Sequence, residues 1–112
     1  MLFCFEDVNA FQTKFGVPMP DEKRLLNDEA YNFRLGFLKE EIQEFIDSSA
    51  SRNFTECIDA LLDEVYVACG TALMMGAKNS DWSTIFDEIV AGDRSLSKII
   101  VADKTYKDGF RF

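Results

Sequence analysis

The side chains with the greatest chemical capacity are two groups of carboxylates, Glu40, Glu41 and Glu44 in one and Glu56, Asp59 and Asp63 in the other. The chain contains no His, and Cys4, Cys57 and Cys69 are scattered. An imidazole or thiolate zinc site and a Ser-His or Cys-His nucleophile are therefore excluded. Ligands that offer oxygen alone select a hard cation, Mg²⁺ with Mn²⁺ as a substitute. No Asp-rich twelve-residue loop with a central Gly points to calcium. The chemistry left to such a set is metal-assisted hydrolysis of a phosphate compound by an activated water.

These acids must be positioned by helices. A helical pattern from about Asn27 or Asp28 to about Asp47 gathers Phe37, Leu38, Ile42, Phe45 and Ile46 on one apolar arc. Glu41 falls inside that arc and Glu44 at its edge, where a charge is costly unless compensated. Glu40 lies further round, toward water or the rim of a site. A Ser-rich break, Ser48 to Ser51, precedes a third pattern from about Asn53 to Leu73 or Met75, apolar nearly all round and stopped by Gly76. On it Glu56, Asp59 and Asp63 share one narrow sector, where three like charges repel unless they share a cation or some are protonated. Blander readings stand beside this one. The first group can be a solvated helix face. Asn53 with Glu56 resembles a capping box, and Asp59 or Asp63 can pair with a buried Arg34.

Other elements follow from the same signals. Glu6 and Asp7 lead a short helix through Val8, Phe11 and Phe15, ended by Gly16 with Pro18 and Pro20 beyond. Ser80 offers an N-cap for a helix through Trp82, Ile85, Phe86 and Ile89 that Gly92 closes. Ile99, Ile100 and Val101 can extend as a strand. The expected architecture is all-α, an antiparallel bundle of about four to five helices forming one domain over residues 1–112 without linkers.

Eleven Phe against two Pro and six Gly argue against disorder. The apolar N-terminus is short and runs into Glu6 and Asp7, so it is not a signal peptide, and no uncharged run is long enough to span a bilayer. A soluble, cytoplasmic protein with reduced thiols is expected. The net charge of −8 speaks against nucleic acid as a partner. Even so, Arg94, Lys98, Lys104, Lys107 and Arg111 crowd the C-terminal end, and an acidic site with a basic flank suits a metal plus a polyphosphate. Phe15, Tyr66 and Trp82 are the aromatics on which a base can stack, although core packing is the favoured reading of each. An apolar third helix in so small a chain needs cover from a homodimer or a dimer of dimers.

Glu40-Glu41-x-x-Glu44 followed by Glu56-x-x-Asp59 resembles the signature of the all-alpha NTP pyrophosphohydrolases, which include MazG-like proteins, dimeric dUTPases and phosphoribosyl-ATP pyrophosphohydrolases. The likeness extends over Phe11 to Pro18, Arg34 to Glu44, and Asp59 to Asp63 with Val65 to Ala72. Ser95-Leu96-Ser97-Lys98 looks like the family's Asn-Met-Ser-Lys, with Ser95 departing from the usual Asn. The resemblance implies that Glu41, Glu44, Glu56 and Asp59 bind Mg²⁺, that Asp63 is a further ligand, and that Glu40 reaches a second ion or orients the water. It places Lys98 on phosphate, with Arg94 beside it. It also implies a homo-oligomer and cleavage of a nucleoside triphosphate to monophosphate and pyrophosphate, leaving dUTP, dCTP, other dNTPs and damaged nucleotides open as substrates. The rivals are a non-catalytic helical interaction protein and a pyrophosphohydrolase of phosphoribosyl-ATP or a similar compound.

Overall fold

Asn27 starts the longest helix: its Oδ1 accepts from the Ala30 N–H at 2.8 Å, and Asp28 and Glu29 follow where the helix dipole favours acids. In the computed structural model of this chain, which describes residues 5–92, that helix is the second of four. They are α1 (Phe5–Lys14), α2 (Asp28–Ala50), α3 (Phe54–Met74) and α4 (Asn79–Ala91). No strand occurs among the described residues, and the segment around Ile99 lies outside them. The chain divides into two compact units, one of Leu26–Thr71 and one of the residues on either side.

The Leu26–Thr71 unit is a helical hairpin. The serines expected to break α2 at about Asp47 instead prolong it to Ala50. Ser48 is buried, and its carbonyl accepts from Ser51 Oγ at 3.2 Å and from the Asn53 N–H at 3.0 Å. Local hydrogen bonding thus gives the serines a place in the helix end instead of terminating it early. The Ser51 and Arg52 N–H groups bond back to Asp47 and Ser49, and Arg52 reverses the chain at a left-handed φ of 59°. Asn53 then caps α3 by accepting from the Glu56 N–H at 3.0 Å. Contacts recede from this turn in antiparallel order: Ser49 Oγ lies 3.5 Å from Cys57 Sγ, Glu41 faces Asp63, and Arg34 reaches Val67 and Thr71. Cys57 and Cys69 form no disulfide among the described residues, and Cys4 lies outside them.

Within this chain α3 is covered along part of its circumference only. Ala60, Val67 and Cys69 are buried, whereas Ile58, Leu61, Leu62, Val65 and Tyr66 are exposed. One partner helix within the unit covers only one stripe of a helix that is apolar all round.

In the other unit, Phe5 and Val8 of α1 and Leu73 at the end of α3 are buried. Phe5 stacks on Trp82 of α4 with ring centroids 4.7 Å apart, and Asn9 donates to Asn79 at 3.1 Å, so α1 and α4 run antiparallel. The glycines act as stops as the sequence predicts. Gly76 has φ 86°, and the Ala77 N–H reaches back to the Ala72 carbonyl at 3.1 Å. A Cβ at Gly76 would collide with the Glu22 backbone, because the Arg24 N–H bonds the Met75 carbonyl and draws that loop in. Ser80 is not the cap of α4. The helix begins two residues earlier than that cap would set it, at Asn79 after Lys78, because the Asp81 carboxylate accepts from the Lys78 backbone N–H at 2.7 Å. Lys23 pairs with the same Asp81 at 3.1 Å.

Candidate active site

Glu41 and Glu44, one turn apart on α2, meet Asp63 of α3 across the hairpin, with one carboxylate oxygen from each lying within 4.8 Å of the others. Glu41 and Asp63 are half-buried and Glu44 is exposed. Glu41 Oε2 is shielded from solvent and has no hydrogen-bond partner. Withdrawal from water pushes the Glu41 carboxyl up to about 7, aided by a hydrogen bond with Glu44 and by the charges of Glu44, Asp63 and Glu40. Asp63 is raised as well, first by desolvation, then by the charges of Asp59 and Glu44 and a hydrogen bond with Asp59. Full ionisation of this trio is costly without a counter-ion, and its donors are all oxygens. The residues present therefore fit a hard divalent cation.

Glu44 also belongs to a second group. With Asp47, Ser48, Glu56 and Asp59 it lines an open cleft of about 350 Å³ on the same unit. The five expected ligands thus divide into Glu41 and Asp63 as an inner pair, Glu56 and Asp59 in the cleft, and Glu44 common to both. Asp63, expected only as a further ligand, lies in the inner group. Glu40 stays outside, exposed, and acts on the trio through its charge on Glu41. Asp47 was not anticipated. The signal was present, since Glu41, Glu44 and Asp47 recur at one-turn spacing on α2. Gln43 Nε2 donates to Asp47 at 2.9 Å. Glu64, also unforeseen, is half-buried with Oε2 unpartnered, and desolvation raises it.

Arg34 does not pair with Asp59 or Asp63. Its Nε donates to Thr71 Oγ1 and its Nη2 to the Val67 carbonyl, both at 3.0 Å, and its guanidinium lies 5.4 Å from the Phe37 ring centroid. The polar partners sit too far along α3 from the acids for the expected pairing.

The aromatic candidates separate. Tyr66 belongs to the hairpin and is partly exposed. Phe15 and Trp82 belong to the other unit: Phe15 is exposed beside Phe11, 4.7 Å away, while the stack of Trp82 on Phe5 accounts for it as packing. Arg94 and Lys98 lie outside the described residues.

No helix among the described residues is long and apolar enough to cross a membrane. No curated protein and no solved structure gives a significant match to the chain. The family model described as phosphoribosyl-ATP pyrophosphohydrolase does match, over residues 8–91, a span holding all four helices but the start of α1, together with every acid of the cluster and the cleft. The chain is a member of the phosphoribosyl-ATP pyrophosphohydrolase family, within the all-alpha NTP pyrophosphohydrolase superfamily.

Proposed function

We propose that the protein hydrolyses a (deoxy)nucleoside triphosphate to the monophosphate and pyrophosphate with Mg²⁺, or Mn²⁺ in its place, held by Glu41, Glu44, Asp63, Glu56 and Asp59. The observation that carries this reading is the facing of Glu41, Glu44 and Asp63 within 4.8 Å, with an unpartnered oxygen on Glu41. When bound, the cation supplies counter-charge for a polyphosphate and Lewis acidity at the phosphoryl oxygens. The protein's own part is positioning and proton handling, which suffices for phosphoryl transfer without a protein nucleophile. Glu40, exposed beside the trio, orients a water and accepts its proton as the oxygen attacks the α-phosphorus. The bond from the α-phosphorus to the bridging oxygen breaks, and pyrophosphate leaves with the electron pair. Tyr66 offers a face for the base, and Arg94 and Lys98 supply positive charge for the phosphates.

The family match favours a second substrate by the same chemistry, phosphoribosyl-ATP, whose α–β phosphoanhydride is broken in the same way. One experiment separates the two: Mg²⁺-dependent hydrolysis of a panel of dNTPs, NTPs and phosphoribosyl-ATP, with all phosphate products resolved. Monophosphate plus pyrophosphate from a dNTP, lost on chelation, is the expected result. Cleavage of phosphoribosyl-ATP alone selects the second substrate. No turnover, with no effect of Mg²⁺ on the melting temperature, selects a non-catalytic helical interaction protein.

The exposed side chains of Ile42, Phe45, Ile46, Phe54, Ile58, Leu61, Leu62 and Val65 on the hairpin support assembly as a homodimer or dimer of dimers. A face that gathered such side chains into one large patch would be uncommon on a monomer.

A further inference from the structure

Between Leu26 and Thr71 acids far outnumber bases, and the only cations are Arg34, Lys39 and Arg52. Lys39 and Arg52 are exposed, whereas Arg34 is half-buried. Among the described residues its polar partners are a hydroxyl and a carbonyl, Thr71 Oγ1 and Val67 O, and no carboxylate pairs with it. Thr71 Oγ1 itself donates to the Val67 carbonyl at 2.7 Å, which fixes the acceptor pair. The Phe37 ring lies against the guanidinium, and Tyr66 is within electrostatic reach. Nε and one Nη2 hydrogen are engaged, so Nη1 remains available as a donor. A partly desolvated cation held by neutral groups calls for an anion.

Its place on the helix says which anion. Arg34 precedes Glu41 by two turns on the same face of α2, about 10 Å along the axis. Its partner Thr71 stands beyond Asp63 on α3 by a similar distance. The cation and the carboxylate trio therefore lie at two levels of one seam between α2 and α3. A triphosphate covers that separation when the metal contacts at its α-phosphate and the guanidinium hydrogen bonds at its terminal phosphate are counted with the extended chain between them.

We propose that Arg34 binds the terminal phosphate of the substrate's polyphosphate chain, the far end of the pyrophosphate that leaves. The proposal rests on the triphosphate reading above. The guanidinium fork matches two phosphate oxygens at once, which a Lys ammonium does not. A cation serving only to join α2 to α3 would be indifferent to the anion.

The test uses Arg34→Gln and Arg34→Lys, with inorganic pyrophosphate and a nucleoside monophosphate as competing inhibitors of dNTP hydrolysis. Calorimetric binding of pyrophosphate in Mg²⁺ provides a readout without turnover. In Arg34→Gln, pyrophosphate binding should weaken and KM rise by roughly ten- to a hundredfold, with monophosphate inhibition unchanged. Arg34→Lys should fall between; should the Gln variant not fold, Arg34→Lys carries the comparison with a smaller but still pyrophosphate-selective loss. Unchanged pyrophosphate binding, or equal loss for both inhibitors, overturns the assignment of Arg34 while leaving the triphosphate reading intact. A wild type that neither turns over a dNTP nor binds pyrophosphate overturns both.

Discussion

Water is withheld from the Glu41 carboxyl, and Glu44, Asp63 and Glu40 surround it with negative charge, so its proton is held up to about 7. A carboxyl raised in the folded state contributes stability that is full below its ordinary value, 4.5, and is lost as pH climbs to about 7. Metal-free protein should therefore melt at a lower temperature at pH 8 than at pH 5, as thermal scans in chelator will read. The rise in melting temperature on adding Mg²⁺ should grow over the same interval, because the cation binds the deprotonated form and releases a proton. Glu41→Gln should flatten the chelator profile, abolish the Mg²⁺ effect and eliminate turnover while circular dichroism shows the helices retained. Asp59→Ala should likewise abolish turnover with the fold kept. Glu64 provides a control on the same helix. Its raised carboxyl follows from burial alone, so Glu64→Gln should raise stability at pH 8 relative to pH 5 and leave Mg²⁺ binding in place. Glu41 was legible in the sequence because one acid inside an apolar arc breaks a pattern. Glu64 was not, because the stripe it shares with Ala60, Val67 and Thr71 shows its burial only when α2 is laid against it.

At the scale of elements, helix ends were the most readable feature where one residue decides the backbone. Asn27 and Asn53 accept the bonds that their side chains promise, and Gly16, Gly76 and Gly92 take the positive φ that other residues avoid. The readings failed where several polar residues compete for one amide. Ser48, Ser49 and Ser51 offered a break and became a helix end, and Asp81 moved the start of α4 ahead of Ser80. Two substitutions test the backbone account. Gly76→Ala forces a side chain into left-handed backbone and into the Glu22 carbonyl, and should cost about 2 kcal/mol or more in denaturant melts. Arg52→Gly relieves a left-handed non-glycine at φ 59° and should raise stability by about 1 kcal/mol.

At the scale of the molecule, the all-helical class was accessible from the apolar periodicity, and the family from the resemblance of the acidic motifs to a known signature, which the family match over residues 8–91 bears out. The extent of uncovered surface was not, since periodicity shows that a helix must be covered and not by what. Phe54, 78% exposed, illustrates the point. If a second copy covers the hairpin, Leu61→Glu should yield a monomer in analytical ultracentrifugation and melt at a lower temperature than the wild type. An unchanged sedimentation coefficient would remove the assembly from the account.

The turn between α2 and α3 has a consequence for how this hairpin tolerates change in length. The Ser51, Arg52 and Asn53 amides are all spent on carbonyls of α2, and the Asn53 side chain is spent on α3, so the connector has no slack. One inserted residue would either break those bonds or turn α3 by about 100°, carrying Asp63 away from Glu41. The connector thus acts as a ruler that sets the phase between two rows of acids. Residue number there, more than residue identity, decides whether Asp63 still faces Glu41.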